Sequence, residues 1–275
     1  MLPAKGYRYR ILAHGINEEG KCCVKSREIK RVLSHSTGSD PYLTDVARRI
    51  ESHRFLGAAT QRCYLQLVSL IQLYMESLGH RPEEVAVLDW GTGKGHITYL
   101  LNRNGFRVTS CDVASAASDS AFGQGTPILT EQQYSVVPLT HEWALPFPDA
   151  SFDVVVSFGV LEHVPNDLSS LQEIRRVLKP TGRFFFSFLP YWSSWTQRLA
   201  RIRGNNYHDR LYRKRDVRKL AQSASFEVEY MWHGQLFPKN SMPASPKLEQ
   251  IDRLLTWHTP LRYIATNLEG ILRPI

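Results

Sequence analysis

The sequence predicts an α/β fold: a mostly parallel sheet covered by helices on both faces. Three observations carry that prediction. Short, near-continuous apolar runs at 85–90, 106–111 and 153–158 read as strands buried on both sides, as parallel strands are. Other segments repeat apolar residues at helical spacing, among them Leu168, Leu171, Ile174, Val177 and Leu178. The two kinds of segment alternate along the chain, which is the pattern of strand–helix–strand units.

Composition bounds the rest. The chain has 275 residues, 43% hydrophobic and 22% charged, enough for one enlarged domain or a domain with an appended segment. No run approaches the ~18 apolar residues of a membrane span. The opening Met1-Leu2-Pro3-Ala4-Lys5 lacks the long apolar stretch of a secretory signal. Cys22, Cys23, Cys63 and Cys111 show neither a C-x-x-C pair nor disulfide-framework spacing, so a cytoplasmic location is expected. The net charge of +8 is uneven: residues 191–220 hold nine Lys/Arg against two Asp/Glu, and residues 1–62 hold twelve against six. Such a surplus suits an anionic substrate, a nucleic acid or a membrane surface. Solvated surface charge is the plainer reading.

In chain order, residues 1–41 show little sustained period and read as a loose arm or lid. A short helix is expected over 42–54 and a longer one from Ala59 to Leu78, with Leu65, Val68, Ile71, Met75 and Leu78 on one face and Gly79 as its stop. The first strand, Val85 to Trp90, runs into the glycine loop Gly91-Thr92-Gly93-Lys94-Gly95, and a helix follows over about His96 to Arg103. The second strand, Phe106 to Cys111, ends at Asp112. Residues 113–129 form a weak helix at best, and Ser135 to Pro138 a short third strand. A fourth strand covers Asp153 to Phe158 and a helix Asp167 to Leu178. Lys179-Pro180-Thr181-Gly182 reads as a stop before a fifth strand, Arg183 to Leu189. An insertion, 190–213, precedes a helix near 215–224, a strand near 226–232 and a final edge strand, Asn267 to Pro274. The organisation expected is an N-terminal arm with helices over 1–80, then the domain proper over 81–275.

The chemistry belongs at the carboxyl edge of the sheet, where open α/β folds bind ligands. Alternating glycines let a ligand approach the backbone without a Cβ in the way, and the helix N-terminus favours a polar or anionic group. The third glycine comes one residue too early for the dinucleotide fingerprint G-x-G-x-x-G. Asp89, just before the loop, suits an ammonium-bearing ligand better than a pyrophosphate, or else makes a structural hydrogen bond. Asp112 is placed to accept from ribose hydroxyls, its alternative being a cap.

These residues resemble a known family, the class I S-adenosylmethionine-dependent methyltransferases of the type that includes the ubiquinone and menaquinone C-methyltransferases. The matching stretches are Val87–Gly95, Val108–Asp112, Leu145–Asp153, Val160–Val164 and Glu173–Gly182. The resemblance covers about 85–275 and leaves 1–80 unexplained. It implies a Rossmann-like, seven-stranded, mostly parallel sheet with an N-terminal helical extension, and S-adenosylmethionine as cofactor. Gly91, Thr92, Gly93 and Gly95 would lie against its methionine part beside Asp89, Asp112 and Val113 against the ribose side, and Ser157 and Phe158 at the methionine end. Where the family often has an acidic residue near the adenine amine, this chain has His141 followed by Glu142, and either would serve.

Methyl transfer from a sulfonium needs mainly positioning and exclusion of water, with a base where the acceptor must lose a proton. Glu162 and His163, just past the fourth strand, are the candidates for that base. The plain alternative is a histidine that only organises the loop. Ubiquinone O-methyltransferases place a metal on an E-x-x-E-H pattern. Here Gly159 stands where the first Glu should be, so no metal is expected. His208 and Asp209 are an alternative base or substrate contact, and Tyr191, Trp192 and Trp195 would wall the acceptor pocket. The acceptor expected is a small molecule or a glycan- or lipid-linked group, and the basic surplus suits an anionic one. RNA methylation is a second reading, favoured by charge but by no recognised RNA-binding module. A non-catalytic binding module is a third.

Overall fold

The computed structural model describes residues 24–35, 38–50, 57–113, 126–141, 143–205, 208, 210–239 and 245–275. Three helices come first: α1 (Ser26–Ser34), α2 (Pro41–Arg49) and α3 (Ala58–Ser77). The first lies in the stretch expected to be a loose arm. Its reason is local: Glu28 accepts the Lys25 N–H at 2.7 Å, as a capping box requires, and Ile29, Val32 and Leu33 form a buried stripe. Asp40 caps α2 by accepting from the Leu43 N–H at 3.0 Å, with Pro41 at the first helical position. The buried Asp40 carboxylate also pairs with Arg103. The expected helix over 42–54 therefore starts at Pro41 and stops at Arg49; residues 51–56 are outside the described set. Gly79, at φ +88°, ends α3 as expected.

The strands β1 (Ala86–Trp90), β2 (Arg107–Val113), β3 (Val136–Leu139), β4 (Phe152–Phe158), β5 (Leu178–Pro190), β6 (Phe226–His233) and β7 (Asn267–Pro274) form one sheet in the order β3-β2-β1-β4-β5-β7-β6. The pairs among β1 to β5 are parallel, while β7 runs antiparallel to both of its neighbours. The expected seven-stranded, mostly parallel sheet is present. One detail differs: Asn267–Pro274 is not an edge strand but lies between β5 and β6. Its residues Leu268, Glu269 and Ile271 are buried, and a Cβ at Gly270 would stand 2.6 Å from both the Phe186 ring and the Tyr230 carbonyl oxygen. Only glycine fits between the two flanking strands there. The segment Lys179–Gly182 is likewise the start of β5 rather than a stop before it.

The connecting helices are α4 (His96–Arg103), α5 (Pro127–Glu131), α6 (Asp167–Val177), α7 (Trp195–Ile202), α8 (Lys214–Ser223) and α9 (Pro246–His258). Most of the weak helix expected over 113–129 lies outside the described residues, and α7 fills part of the insertion. Successive strand residues point to opposite faces. Val87, Val154 and Val156 therefore join a core with α1, α2, α3 and α4, while Leu88, Val155 and Phe184 join a second core with Leu171 and Ile174 of α6 and Val217 and Ala221 of α8. The helices before residue 80 thus share a core with the sheet. On the first of these faces, beside Tyr74 of α3, Arg183 on β5 and Glu229 on β6 form an ion pair at 2.7 Å, both side chains buried. Among the described residues, no helix is long and apolar enough to cross a membrane.

Candidate active site

The loop after β1 is folded by its own backbone. Gly91 and Thr92 donate their N–H groups to the Cys111 carbonyl at 2.9 and 3.1 Å, and Gly95 donates to the Thr92 carbonyl at 3.0 Å. Gly93 donates to Asp112 Oδ2 at 2.7 Å. These four N–H groups are therefore spent inside the protein, and what the loop offers a ligand is bare surface. At Gly93 (φ +52°) an added Cβ would meet nothing within 4 Å, so that glycine faces open space. At Gly91 and Gly95 a Cβ would strike Val160 and Leu129, each at 2.4 Å. Thr92 is buried with its hydroxyl near the Asp89 and Cys111 carbonyls at 3.1 and 3.3 Å, which pins the turn.

Asp89 is buried, and Thr98 of α4 donates its hydroxyl to Asp89 Oδ2 at 2.6 Å. Ser110 then donates to Thr98, 2.7 Å away, because Thr98 has only one hydroxyl hydrogen. Burial pushes the Asp89 carboxyl up to about 7, with the Thr98 bond acting against the shift. The folded protein thus keeps a proton that the unfolded chain releases near 3.8. That contribution to stability is complete at acid pH and is lost as pH rises through about 7. We expect Asp89→Asn to flatten the pH dependence of the unfolding free energy, from urea melts, between these values by up to about 1.4 kcal/mol per pH unit. Parallel pH curves for the two proteins would show that Asp89 is ionised in the fold.

Asp112 closes the carboxyl end of β2. Its Oδ1 accepts the Val113 N–H at 2.8 Å and its Oδ2 the Gly93 N–H, which leaves lone pairs on both oxygens. Val113 beside it is 46% exposed, a large apolar side chain open at the sheet edge. His141 is exposed, and its Nδ1 accepts the N–H groups of Trp143 and Ala144 at 3.4 and 3.2 Å. It caps its own turn. Glu142 lies outside the described residues. Ser157 ends β4 fully buried, with no partner for its Oγ among the described residues, and Phe158 meets Phe188 edge-on at 6.3 Å. These groups fit a polar nucleoside-like ligand at the carboxyl edge: a bare glycine face, a carboxylate with free lone pairs, an apolar flank and an unpartnered hydroxyl.

Past β4, the chain turns at Gly159 (φ +80°), a conformation that disfavours the glutamate of the E-x-x-E-H pattern. Glu162 is buried and its Oε2 has no hydrogen-bond partner among the described residues. Burial pushes its carboxyl up to about 7, with Lys239 pulling the other way. His163 is exposed, with Nε2 3.9 Å from Glu162 Oε1. The insertion brings the His208 ring to 5.3 Å from that of His163. Ligand-capable atoms of Glu162, His163 and His208 lie within 4.8 Å of one another, so a third group stands where the sequence offered two. Asp209 lies outside the described residues.

A cleft of about 180 Å³ opens beside this cluster, with Phe188, Thr196, Gln197, His208, Gln235 and Lys239 in its wall. That volume holds a small ligand or the head of a larger one. Tyr191, Trp192 and Trp195 do not line it. Tyr191 packs on His233 at 4.9 Å, Trp192 lies under the Arg213 guanidinium at 3.9 Å, and Trp195 donates to the Leu236 carbonyl at 2.7 Å. Sequence reasoning missed Lys239, Phe188 and Tyr64. No motif marks them, and only the fold brings α3, the end of β5 and the segment after β6 together.

The family model described as methyltransferase domain matches residues 88–186, the stretch from β1 to β5. Over that stretch the chain is similar to methyltransferase domains. Its relatives include a ubiquinone biosynthesis O-methyltransferase of Paracidovorax citrulli, 38% identical over 105 residues that make up 37% of this chain and 42% of that protein. A probable S-adenosylmethionine-dependent methyltransferase of Mycolicibacterium smegmatis is 30% identical over 58% of each chain. The chain thus spans about half the length of these curated relatives. The solved 1,6-didemethyltoxoflavin-N1-methyltransferase of Burkholderia thailandensis, which holds S-adenosylhomocysteine, shares the fold over 91% of each chain, with a TM-score of 0.51 at 19% identity. The end of β5, the insertion and the segment after β6 supply Phe188, Thr196, Gln197, His208 and Lys239, so the cleft is built from parts beyond the matched stretch.

Proposed function

We propose that the chain transfers a methyl group from S-adenosylmethionine to a small-molecule or glycan- or lipid-linked acceptor. The observation that carries this reading is the arrangement at one sheet edge of Gly93's open face, the Asp112 carboxylate and the buried Glu162, next to the cleft. S-adenosylmethionine supplies a methyl group already activated on a sulfonium. The residues assigned to hold it are Asp89, Gly91, Thr92, Gly93, Gly95, Asp112, Val113, His141, Glu142, Ser157 and Phe158.

Their roles follow from their positions. Asp112 accepts from the ribose hydroxyls with its remaining lone pairs, and Val113 covers the base. The pinned loop keeps Gly93 flat so that nothing occupies the ligand's place. Ser157 offers the unpartnered hydroxyl at the end of β4. Glu162, with a carboxyl near 7, is matched to take a proton at neutral pH. His163 stands between it and solvent and can pass the proton on.

A labelled methyl-transfer screen over small molecules, glycolipids and RNA tests the reading directly. With an acceptor in hand, Glu162→Gln is expected to cut kcat about 100-fold or more and to remove the limb of the pH–rate profile near 7. A profile unchanged in that variant would take Glu162 out of the proton path. Failure to bind S-adenosylmethionine by calorimetry would end the proposal itself.

A further inference from the structure

Lys239 occupies an unusual place for a lysine. Its Nζ sits 2.9 Å from the centre of the Phe188 ring and 4.7 Å from that of Tyr64, and donates to the Tyr64 hydroxyl at 3.3 Å. No carboxylate of the described residues lies within ion-pair distance of it. An ammonium in such a place keeps part of its charge uncompensated, which is costly without an anion to meet it. Ring faces attract a cation but cannot neutralise it.

The surroundings have been built to keep it there. Phe188 holds a left-handed backbone (φ +62°) at the irregularity where β5 leaves its register with β7. Such strain in a non-glycine residue persists only where the surrounding structure imposes it, and it concentrates at functional sites. Here it turns the ring under the lysine and against Phe158 at the end of β4. Tyr64 comes from α3, and its ring also meets His96 of α4 at 4.4 Å. The lysine forms part of the wall of the cleft described above, together with the neutral polar groups of Thr196 and Gln197.

Cys63, Tyr64 and His96 face Lys239, and Glu249, Asp252 and Arg253 line a small pocket together with it and Cys63. Burial raises the Cys63 thiol to about 11 and the Tyr64 phenol above its usual range, and it lowers the His96 imidazole to about 3. All three are uncharged near neutral pH. Burial lowers the Lys239 amine to about 7, with Glu269 and Glu162 acting against the shift from a distance. An anion entering the cleft would replace the missing partner.

We propose that Lys239 is the anion-binding residue of the acceptor cleft, and that the acceptor is held there as an oxyanion, from a phenol or enol hydroxyl. This rests on the methyl-transfer reading for the word acceptor, but the anion site stands or falls by itself. The chemistry is a single ionisation: the O–H bond breaks, its electron pair stays on oxygen beside the ammonium, and the proton passes to Glu162 and through His163 to solvent. Phe188, in the cleft wall, would meet the aromatic or conjugated body of such a ligand.

The test uses 4-nitrophenol, whose neutral and ionised forms differ in colour, with the whole chain and no methyl donor. Spectra are taken across pH with protein in excess. The wild type should bind it and lower its pKa by about one unit, a tenfold rise in its ionisation constant. In Lys239→Met the shift should vanish, and in Lys239→Arg, which keeps the charge, it should persist. Lys239→Gln serves in place of the methionine variant should that one not fold, as judged by its thermal melt. No shift in the wild type, or an equal shift in Lys239→Met or Lys239→Gln, would overturn the proposal. A wild-type shift with no methyl transfer to any acceptor would sink the enzymatic reading and leave the anion site in place.

Discussion

Asp112→Ala is expected to weaken S-adenosylmethionine binding by about 100-fold or more in calorimetry. Two effects add. The ribose hydroxyls lose a charged acceptor, and hydrogen bonds to charged groups are worth about 1.5–3 kcal/mol each, where about 1.4 kcal/mol is tenfold. The Gly93 N–H also loses its 2.7 Å partner, so the loop that leaves space for the ligand loses its tie to β2. Asp112→Asn keeps the shape but not the charge and should fall between wild type and alanine. Equal affinities for all three proteins, each shown folded by its melting curve, would remove Asp112 from the cofactor site.

Arg183→Met should lower stability by about 3–5 kcal/mol, the usual cost of stranding one member of a buried ion pair. Glu229 would be left buried on β6 without its 2.7 Å partner. For a chain of this size the melting temperature should fall by about 10 °C. Replacing both members, as Arg183→Met with Glu229→Leu, should recover much of the loss, since an apolar pair carries no desolvation cost. A double variant no more stable than the single one would mean that the pair does not act alone, and Tyr74, 3.4 Å from Arg183 Nε, is the group to examine next.

The sheet was legible because its strands are short apolar runs bounded by turn residues, and parallel strands buried on both faces must look so. Gly91 to Gly95, Asp89 and Asp112 were legible for a different reason: a loop that makes room for a ligand has to be written in glycine. The order of the last two strands was not. Whether Asn267–Pro274 sits at an edge or inside depends on Gly270 meeting Phe186 and Tyr230, contacts between residues far apart in the chain. The helix at Ser26–Ser34 was missed because nine residues carry too short a period to stand out among scattered glycines. The cleft was hidden most deeply. Glu162 is adjacent to a strand end and could be named, whereas Tyr64, Phe188 and Lys239 come from three separate elements and meet only once the sheet has formed.

The position of β7 bears on how this protein is made. A chain leaves the ribosome in order, so β5 and β6 emerge well before the strand that joins them. Until β7 follows, β5 exposes one unpaired edge and β6 has no neighbour at all, and exposed strand edges invite pairing with other chains. Glu229 on β6 and Arg183 on β5 must also wait for one another across that gap. Nascent chains halted before β7 should therefore aggregate or bind chaperones, and their solubility should rise sharply once β7 clears the exit tunnel.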